Sequence, residues 1–188
     1  EEKEVAVKHF LDSLTLLKAA PFEEEMDLLD VGTGAGFPGL PLKICLPDLQ
    51  VTLVDSLDKR VNFLKKVITG LGLAGVEAVH ARAEDIGRKS DHREKYHRVT
   101  ARAVAVLGIL AEYCLPAVKV GGLFMAMKGP RLEEEFAEAV KAVKILGGEI
   151  EKTVNLRLPL SGEERNIVLI RKNAPTPEKY PRRPGVPE

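Results

Sequence analysis

The stretch "LLDVGTGAGFPG", Leu28 to Gly39, runs from an apolar segment through Asp30 into glycine at every second position, Gly32, Gly34 and Gly36. An apolar run that stops abruptly at glycines reads as a buried strand feeding a tight turn. Glycine there removes the Cβ, so backbone N–H groups can approach a ligand closely. The next segment, "PGLPLKICL", has proline near its start and reads as a helix. Strand, glycine-rich turn and helix in this order form a ligand-binding loop, and the flanking segments decide which ligand it suits.

The segment "QVTLVD" is β-branched and ends at Asp55, 19 positions after Gly36. An acidic residue ending the second strand can accept hydrogen bonds from ribose hydroxyls. Dinucleotide-binding turns require G-x-G-x-x-G/A, and counting from Gly32 and Gly34 the third small position holds Phe37. A bulky ring there argues against NAD or FAD. The pattern present, D-x-G-x-G-x-G, resembles the S-adenosylmethionine loop of class I methyltransferases. A glycine-rich turn of purely structural use is the plainer alternative.

The rest of the chain supplies context. "KEVAVKHFLDSLTLLKAA" spaces Val5, Phe10, Leu14 and Leu17 as an amphipathic helix over Lys3–Ala20. Ser56 is placed to cap a helix whose inner face carries Val61, Leu64, Val67, Ile68 and Leu71, ending at Gly70 and Gly72. "VEAVHA", "YHRVTARA" and "GGLFMAMKG" read as strands; "VLGILAEYCLPAV" and "PRLEEEFAEAVKAVKIL" read as helices, the second capped. "GEIEKTVNLRL" and "ERNIVLIRK" follow as two strands with only the "PLSGE" turn between them. Alternating strands and helices predict a parallel sheet covered on both faces, and the closing pair must add an antiparallel hairpin at one edge. A mostly parallel seven-stranded α/β sheet of this Rossmann-like kind is the plan of class I S-adenosylmethionine-dependent methyltransferases.

Composition narrows the field. The 188 residues suit one domain, and 45% are apolar, enough for a packed core. Lysine plus arginine and aspartate plus glutamate both number 28, so the net charge is zero and a basic whole-protein footprint for nucleic acid is lacking. Local charge is uneven. Arg88–Arg102 is basic, as is the proline-rich tail with Lys179, Arg182 and Arg183, while acid gathers at Glu23–Glu25 and Glu133–Glu135. "GRKSDHREKYHR" therefore reads either as part of a basic face or as a solvated charged loop. Cys45 and Cys114 sit in apolar helical patterns and read as buried free thiols; no spacing suggests a metal. No signal peptide or membrane-spanning run is legible, which makes the cytoplasm the expected compartment.

"DVGTGAGFPGLPLKI" and "LVDSLDKRVNFLKKV" together resemble the bacterial 16S ribosomal RNA 7-methylguanosine methyltransferases, the glucose-inhibited division protein B family. "HFLDSL", "ARAED", "TARAVA", "AMKG" and "GEERNIVLIRK" extend the likeness over nearly the whole chain. The resemblance implies a methyltransferase domain over 26–172, an N-terminal helical segment over 1–25 that is short relative to the family, and a tail over 173–188. Its cofactor would be S-adenosylmethionine and its partner 16S rRNA in the small ribosomal subunit, with no metal and no membrane.

By the same resemblance, Gly32, Gly34 and Phe37 would meet the methionine and sulfonium end of the cofactor. Asp55 would hold the ribose, and Ala83 and Glu84 would flank the adenine. Arg102 would stand between cofactor and RNA, sharing a catalytic role with Lys128. Lys59, Arg60, Arg82, Lys128 and Arg165 would contact RNA; His9, Asp12 and Ser13 would sit near the cofactor mouth. Plainer readings stand beside these. Glu84 suits a helix N-terminus, Lys59 and Arg60 a solvated face, and His9 a helix surface. Arg102, between two alanines at a strand end, needs a charged partner in any case.

Guanine N7 carries a lone pair and no proton, so its methylation needs alignment and water exclusion and no general base. The absence of any DPPY- or NPPY-type motif or placed catalytic cysteine agrees with that chemistry. A methyltransferase for a small molecule or protein, and a non-catalytic cofactor- or RNA-binding module, are the other readings the sequence leaves open.

Overall fold

The computed structural model describes residues 2–23, 25–102 and 105–186; Glu1, Glu24, Ala103, Val104, Pro187, Glu188 and the side chain of Arg131 lie outside that description. Seven strands form one sheet: β1 Asp27–Val31, β2 Gln50–Asp55, β3 Val76–His80, β4 Tyr96–Arg102, β5 Val118–Lys128, β6 Gly148–Arg157 and β7 Glu164–Lys172. Their order is β3-β2-β1-β4-β5-β7-β6. The first five run parallel, and β7 is antiparallel to both β5 and β6. The tight turn makes β6 and β7 antiparallel neighbours, and it is β7 that pairs with β5, leaving β6 at the edge.

Alternation along the strands sends side chains to two cores. Phe124 and Ala126 of β5 join Val99, Ala101, Val168 and Ile170 beneath the helices Leu107–Cys114 and Glu133–Ile145. Leu123, Met125 and Met127 join Leu28, Leu53, Ile167 and Leu169 against Leu16, Leu40, Leu42 and Leu64 on the other face. Each fully buried leucine or phenylalanine contributes roughly 1.5–3 kcal/mol, so helices are held to both faces and the strand ends are left to carry the site.

Several local expectations need correction. The N-terminal stretch is helical over Glu2–Val5, Ala6–Leu11, Asp12–Leu14 and Leu16–Ala19, but Ala6–Leu11 is a π-helical turn. Its wider spacing shifts the phase, so that Val7, Asp12, Ser13 and Leu16 are buried while Val5, Phe10 and Leu17 are exposed. Ser56 caps nothing: the helix Asp58–Gly70 starts after Leu57, whose N–H is bonded by Asp55 Oδ1 at 2.9 Å. Leu71 lies past that helix's end and is exposed. The helix Glu133–Ile145 begins after a 3-10 turn, Pro130–Leu132, without a side-chain cap. Cys114 is buried, and burial holds its thiol pKa well above the ordinary value; Cys45 is exposed, because Leu40 and Leu42 occupy the inner side of the helix Gly39–Cys45.

The basic segment and the tail are committed to each other. Arg93 donates to Gly87 O, Tyr180 O and Thr176 O at 2.7–2.8 Å, and Arg88 Nε donates to Pro181 O at 2.9 Å. Arg182 forms a bidentate pair with buried Glu112. The buried Lys172 ammonium donates to Leu115 O at 2.7 Å and pairs with Glu94, and burial lowers its pKa to about 8. The tail is therefore extended but fastened. Arg98 donates to Pro21 O at 3.0 Å, near the amino end of the strands and away from the glycine loop. Arg88, Arg93 and Arg98 are held on backbone carbonyls and Arg182 on the Glu112 carboxylate, so these donors serve the fold.

Candidate active site

The glycine turn is organised by Asp30. Its buried Oδ2 accepts from Thr33 Oγ1 at 2.6 Å and from Gly39 N at 2.9 Å, and Oδ1 accepts from Thr100 Oγ1 at 3.3 Å. Burial raises its pKa to about 6, against the opposing pull of those donors and of Arg102. One carboxylate thus ties both ends of the turn to β1 and β4. Gly34 has φ +61° and donates its N–H to Asp55 Oδ2 at 3.0 Å. Gly36 has φ +99°, and a Cβ there would overlap the Leu40 side chain. Conformation and close packing respectively demand glycine at these two positions.

Parallel strand order reverses between β1 and β4, where ligands bind in open α/β sheets. Val31 is in register with Ala101, which sets Gly32 beside Arg102. Two clefts open there. One, of about 380 Å³, is lined by Gly32, Asp55, Arg82, Ala83, Glu84 and Tyr113 among others. The second, of about 410 Å³, is lined by Lys8, His9, Asp12, Arg102, Met127, Lys128, Gly129 and Arg165. Both fall within the usual range for small-molecule sites. Phe37 stands at the second cleft: its ring centroid lies 5.5 Å from Arg102 Cζ, 5.0 Å from the Phe10 ring and 5.3 Å from the His9 ring.

The first cleft fits an adenosine-bearing cofactor on the chemistry of its donors and acceptors. Asp55 is buried and accepts from Gly34 N, Leu57 N and Arg60 Nη1. A carboxylate offers about four lone-pair sites, so roughly one remains for a sugar hydroxyl, on Oδ1. The buried Glu84 and half-buried Ala83 form the far wall at the start of the helix Ala83–Arg88.

In the second cleft Asp12 is 2% exposed and lies between two arginines. Arg102 Nη1 donates to its Oδ2 at 3.3 Å, and Arg165 Nε is 3.2 Å from Oδ1 in an ion pair whose angles fall short of a hydrogen bond. Arg165 also pairs with Glu163 at 2.7 Å, and Glu163 with Lys8 at 3.1 Å. Lys128 lines this cleft with its charge already matched: Nζ donates to Ala105 O at 2.8 Å and lies 2.9 Å from Glu135 Oε2, which accepts from Leu107 N.

The expected site residues thus separate into three groups. Gly32, Asp55, Arg82, Ala83 and Glu84 meet in the first cleft; Arg102, Lys128 and Arg165 meet in the second with His9 and Asp12. Lys59, Arg60 and Gly34 line a neighbouring groove. Ser13 is buried and donates to His9 O at 2.6 Å, so it braces the helix and reaches neither cleft. Sequence reasoning passed over Asp30 as an organiser, although its place before the first glycine was the available signal. Met127 and Glu135 gave no signal, since an alternating strand and an acidic helix start account for them.

The sheet order, the glycine turn behind Asp30 and the acidic end of β2 define a class I methyltransferase fold. Solved structures agree on the fold. An S-adenosylmethionine-dependent methyltransferase from Aquifex aeolicus superposes with TM-score 0.64 at 20% identity, covering 90% of this chain and 93% of that one. TrmN from Thermus thermophilus gives 0.65 at 18% identity over 85% of this chain and 48% of its own. The [4+2]-cyclase SpnF gives 0.68 at 13% identity, covering 88% of this chain and 81% of that one, so the fold alone does not specify methyl transfer.

Family membership is more specific. The chain belongs to the GidB family, rRNA small subunit methyltransferase G, whose profile matches residues 1–168. Proteins named ribosomal RNA small subunit methyltransferase G from Pelotomaculum thermopropionicum and Desulforamulus reducens are 63% and 54% identical over the whole chain, which spans 78% of each. One from Clostridium botulinum is 47% identical over 99% of the chain and 78% of its own length. No helix among the described residues is long and apolar enough to cross a membrane, and these residues contain no metal-binding cluster of histidine, cysteine or acid.

Proposed function

We propose that this chain methylates N7 of a guanine in 16S rRNA within the small ribosomal subunit, in the cytoplasm, using S-adenosylmethionine. The observation that carries the reading is the pair of clefts that Gly32 and Arg102 bring side by side at the ends of β1 and β4, one fitted to a nucleoside and one lined by arginines, in a chain of this family.

S-adenosylmethionine supplies, when bound, an electrophilic methyl on a sulfonium. Gly32 and Gly34 leave room for its methionine part, Asp55 accepts from its ribose, and Ala83 and Glu84 flank its adenine. Phe37, with Phe10 and His9 against it, walls the methyl end and keeps water from it. Arg102, held by Asp12 and over the Phe37 ring, positions the incoming nucleotide through phosphate or the guanine O6 edge. Because N7 has no proton to lose, none of these residues needs to act as a base. The methylated guanine is cationic, so the matching of Arg102 by Asp12 and of Lys128 by Glu135 limits repulsion where that charge develops. Arg165, Lys59, Arg60 and Arg82 serve the RNA backbone. Lys128 in this reading lines the nucleotide cleft and exchanges no proton.

Radiolabelled S-adenosylmethionine incubated with small subunits lacking the modification tests the proposal. Label recovered as 7-methylguanosine in 16S rRNA is the expected result. Absence of label from that RNA overturns it.

A further inference from the structure

We propose that the outer face of the helix Asp58–Gly70 is a docking surface for an unpaired RNA strand, with Phe63 as its base-stacking platform. The inference rests on the rRNA reading and adds to it a surface and an anchor residue.

On this helix Val61 and Leu64 are buried, whereas Lys59, Phe63 and Lys66 fall at spacings of four and three, one line along the outer side. Phe63 is 50% exposed, although a phenyl ring ordinarily seeks the core. Among the described residues no ring or cation faces it, and neither Lys59 nor Lys66 has an ion-pair partner. The acid on the same helix, Asp58, is bonded by Asn62 Nδ2 at 2.7 Å and lies 3.8 Å from His80. One acid against two unpaired lysines leaves this face with an excess of positive charge.

A groove of about 810 Å³ runs along the face; Gly34, Asp58, Lys59, Arg60, Phe63 and Lys66 are among the residues lining it. It begins at the glycine turn and shares Leu57 with the first cleft, so a strand lying in it passes beside the cofactor cleft. An aromatic ring between lysines is the arrangement that binds single-stranded nucleic acid, stacking a base while the cations follow the backbone. Lysine is depleted from protein–protein interfaces, which argues against a protein occupant. RNA enzymes favour splayed, unstacked bases, and the groove suits the nucleotides flanking the target guanine.

The test uses the full chain saturated with S-adenosylhomocysteine and a fluorescein-labelled oligouridylate, read by anisotropy. Phe63→Ala is expected to weaken binding about 5- to 150-fold, with Phe63→Tyr retaining it and Phe63→Leu weakened like alanine. Lys66→Gln is expected to lower the salt slope by about one. Half of the ring is already in water and alanine is the better helix former, so Phe63→Ala lowers the melting temperature only slightly and the variant stays folded at the assay temperature. With small subunits, Phe63→Ala raises KM and leaves kcat near wild type. Wild-type oligouridylate affinity for Phe63→Ala or Phe63→Leu overturns the platform. A raised KM for the subunit with unchanged oligouridylate affinity overturns it in favour of a protein surface of the particle. A wild-type chain that places no label in rRNA overturns the rRNA reading, while the oligonucleotide measurement still decides the platform.

Discussion

Asp55→Ala is expected to destabilise the ligand-free protein as well as weaken cofactor binding. The Asp55 carboxylate is 2% exposed and accepts from Gly34 N at 3.0 Å, Leu57 N at 2.9 Å and Arg60 Nη1 at 3.3 Å. The Arg60 side chain is 53% exposed, so solvent screening leaves that contact at most about 1 kcal/mol. The two backbone bonds to a charged acceptor contribute roughly 1.5–3 kcal/mol each. Relaxation of the turn and water reaching the freed N–H groups bring the expected net loss to about 3 kcal/mol. Asp55→Asn keeps one carbonyl acceptor but turns its amide onto Gly34 N–H or Leu57 N–H, for a loss of about half that. Urea unfolding of the ligand-free variants followed by circular dichroism measures the first effect, and calorimetric titration with S-adenosylhomocysteine the second. A wild-type urea midpoint for Asp55→Ala together with lost affinity refutes the argument that Asp55 holds the turn closed before ligand arrives. Unchanged affinity in both variants places the ribose elsewhere.

Gly36→Ala is expected to cost about 2–4 kcal/mol in urea unfolding, from positive φ plus overlap with Leu40, whereas Gly34→Ala, with open space around its Cβ, costs about 1–2 kcal/mol from conformation alone. Equal losses would deny the packing role of Gly36. Asp30, with its pKa raised from 3.8 to about 6, binds more protons folded than unfolded, so its contribution to stability is greatest below pH 4 and falls as pH rises to 6. Relative to Asp30→Asn, which does not titrate, wild-type stability should decline across that window by up to about 3 kcal/mol and then level off; a flat difference from pH 4 to 7 contradicts the burial argument. Arg102→Ala should lower kcat at least tenfold and, by leaving the buried Asp12 carboxylate to Arg165 alone, lower the melting temperature as well, while Lys128→Met, which frees Ala105 O and Glu135, should lower the melting temperature with little loss of turnover. Steady-state kinetics and thermal melts on both variants separate the two roles, and the reverse pattern would exchange them.

Sequence alone determined the elements and their order, because hydrophobic periodicity, glycine and proline act locally. β2 and β7 have the bounds that their apolar runs suggest, and the glycine spacing with Asp55 indicated the cofactor class from either end of a single strand–helix–strand unit. Tertiary structure decided which charges are free. Arg93 and Arg98 lie in a basic stretch that reads as part of a basic face or as a solvated loop, and Arg182 in a basic tail, yet their donors are used on carbonyls and carboxylates far away in sequence. Asp12 meets Arg102 and Arg165 only because the N-terminal helices, β4 and β7 converge at one end of the sheet. The π turn at Ala6–Leu11, which no spacing rule reports, rotates Phe10 outward to Phe37 and Asp12 inward. Backbone preference is a property of neighbouring residues and can be read along the chain. Whether a charge is matched or available depends on partners that only the folded chain brings within a few ångströms.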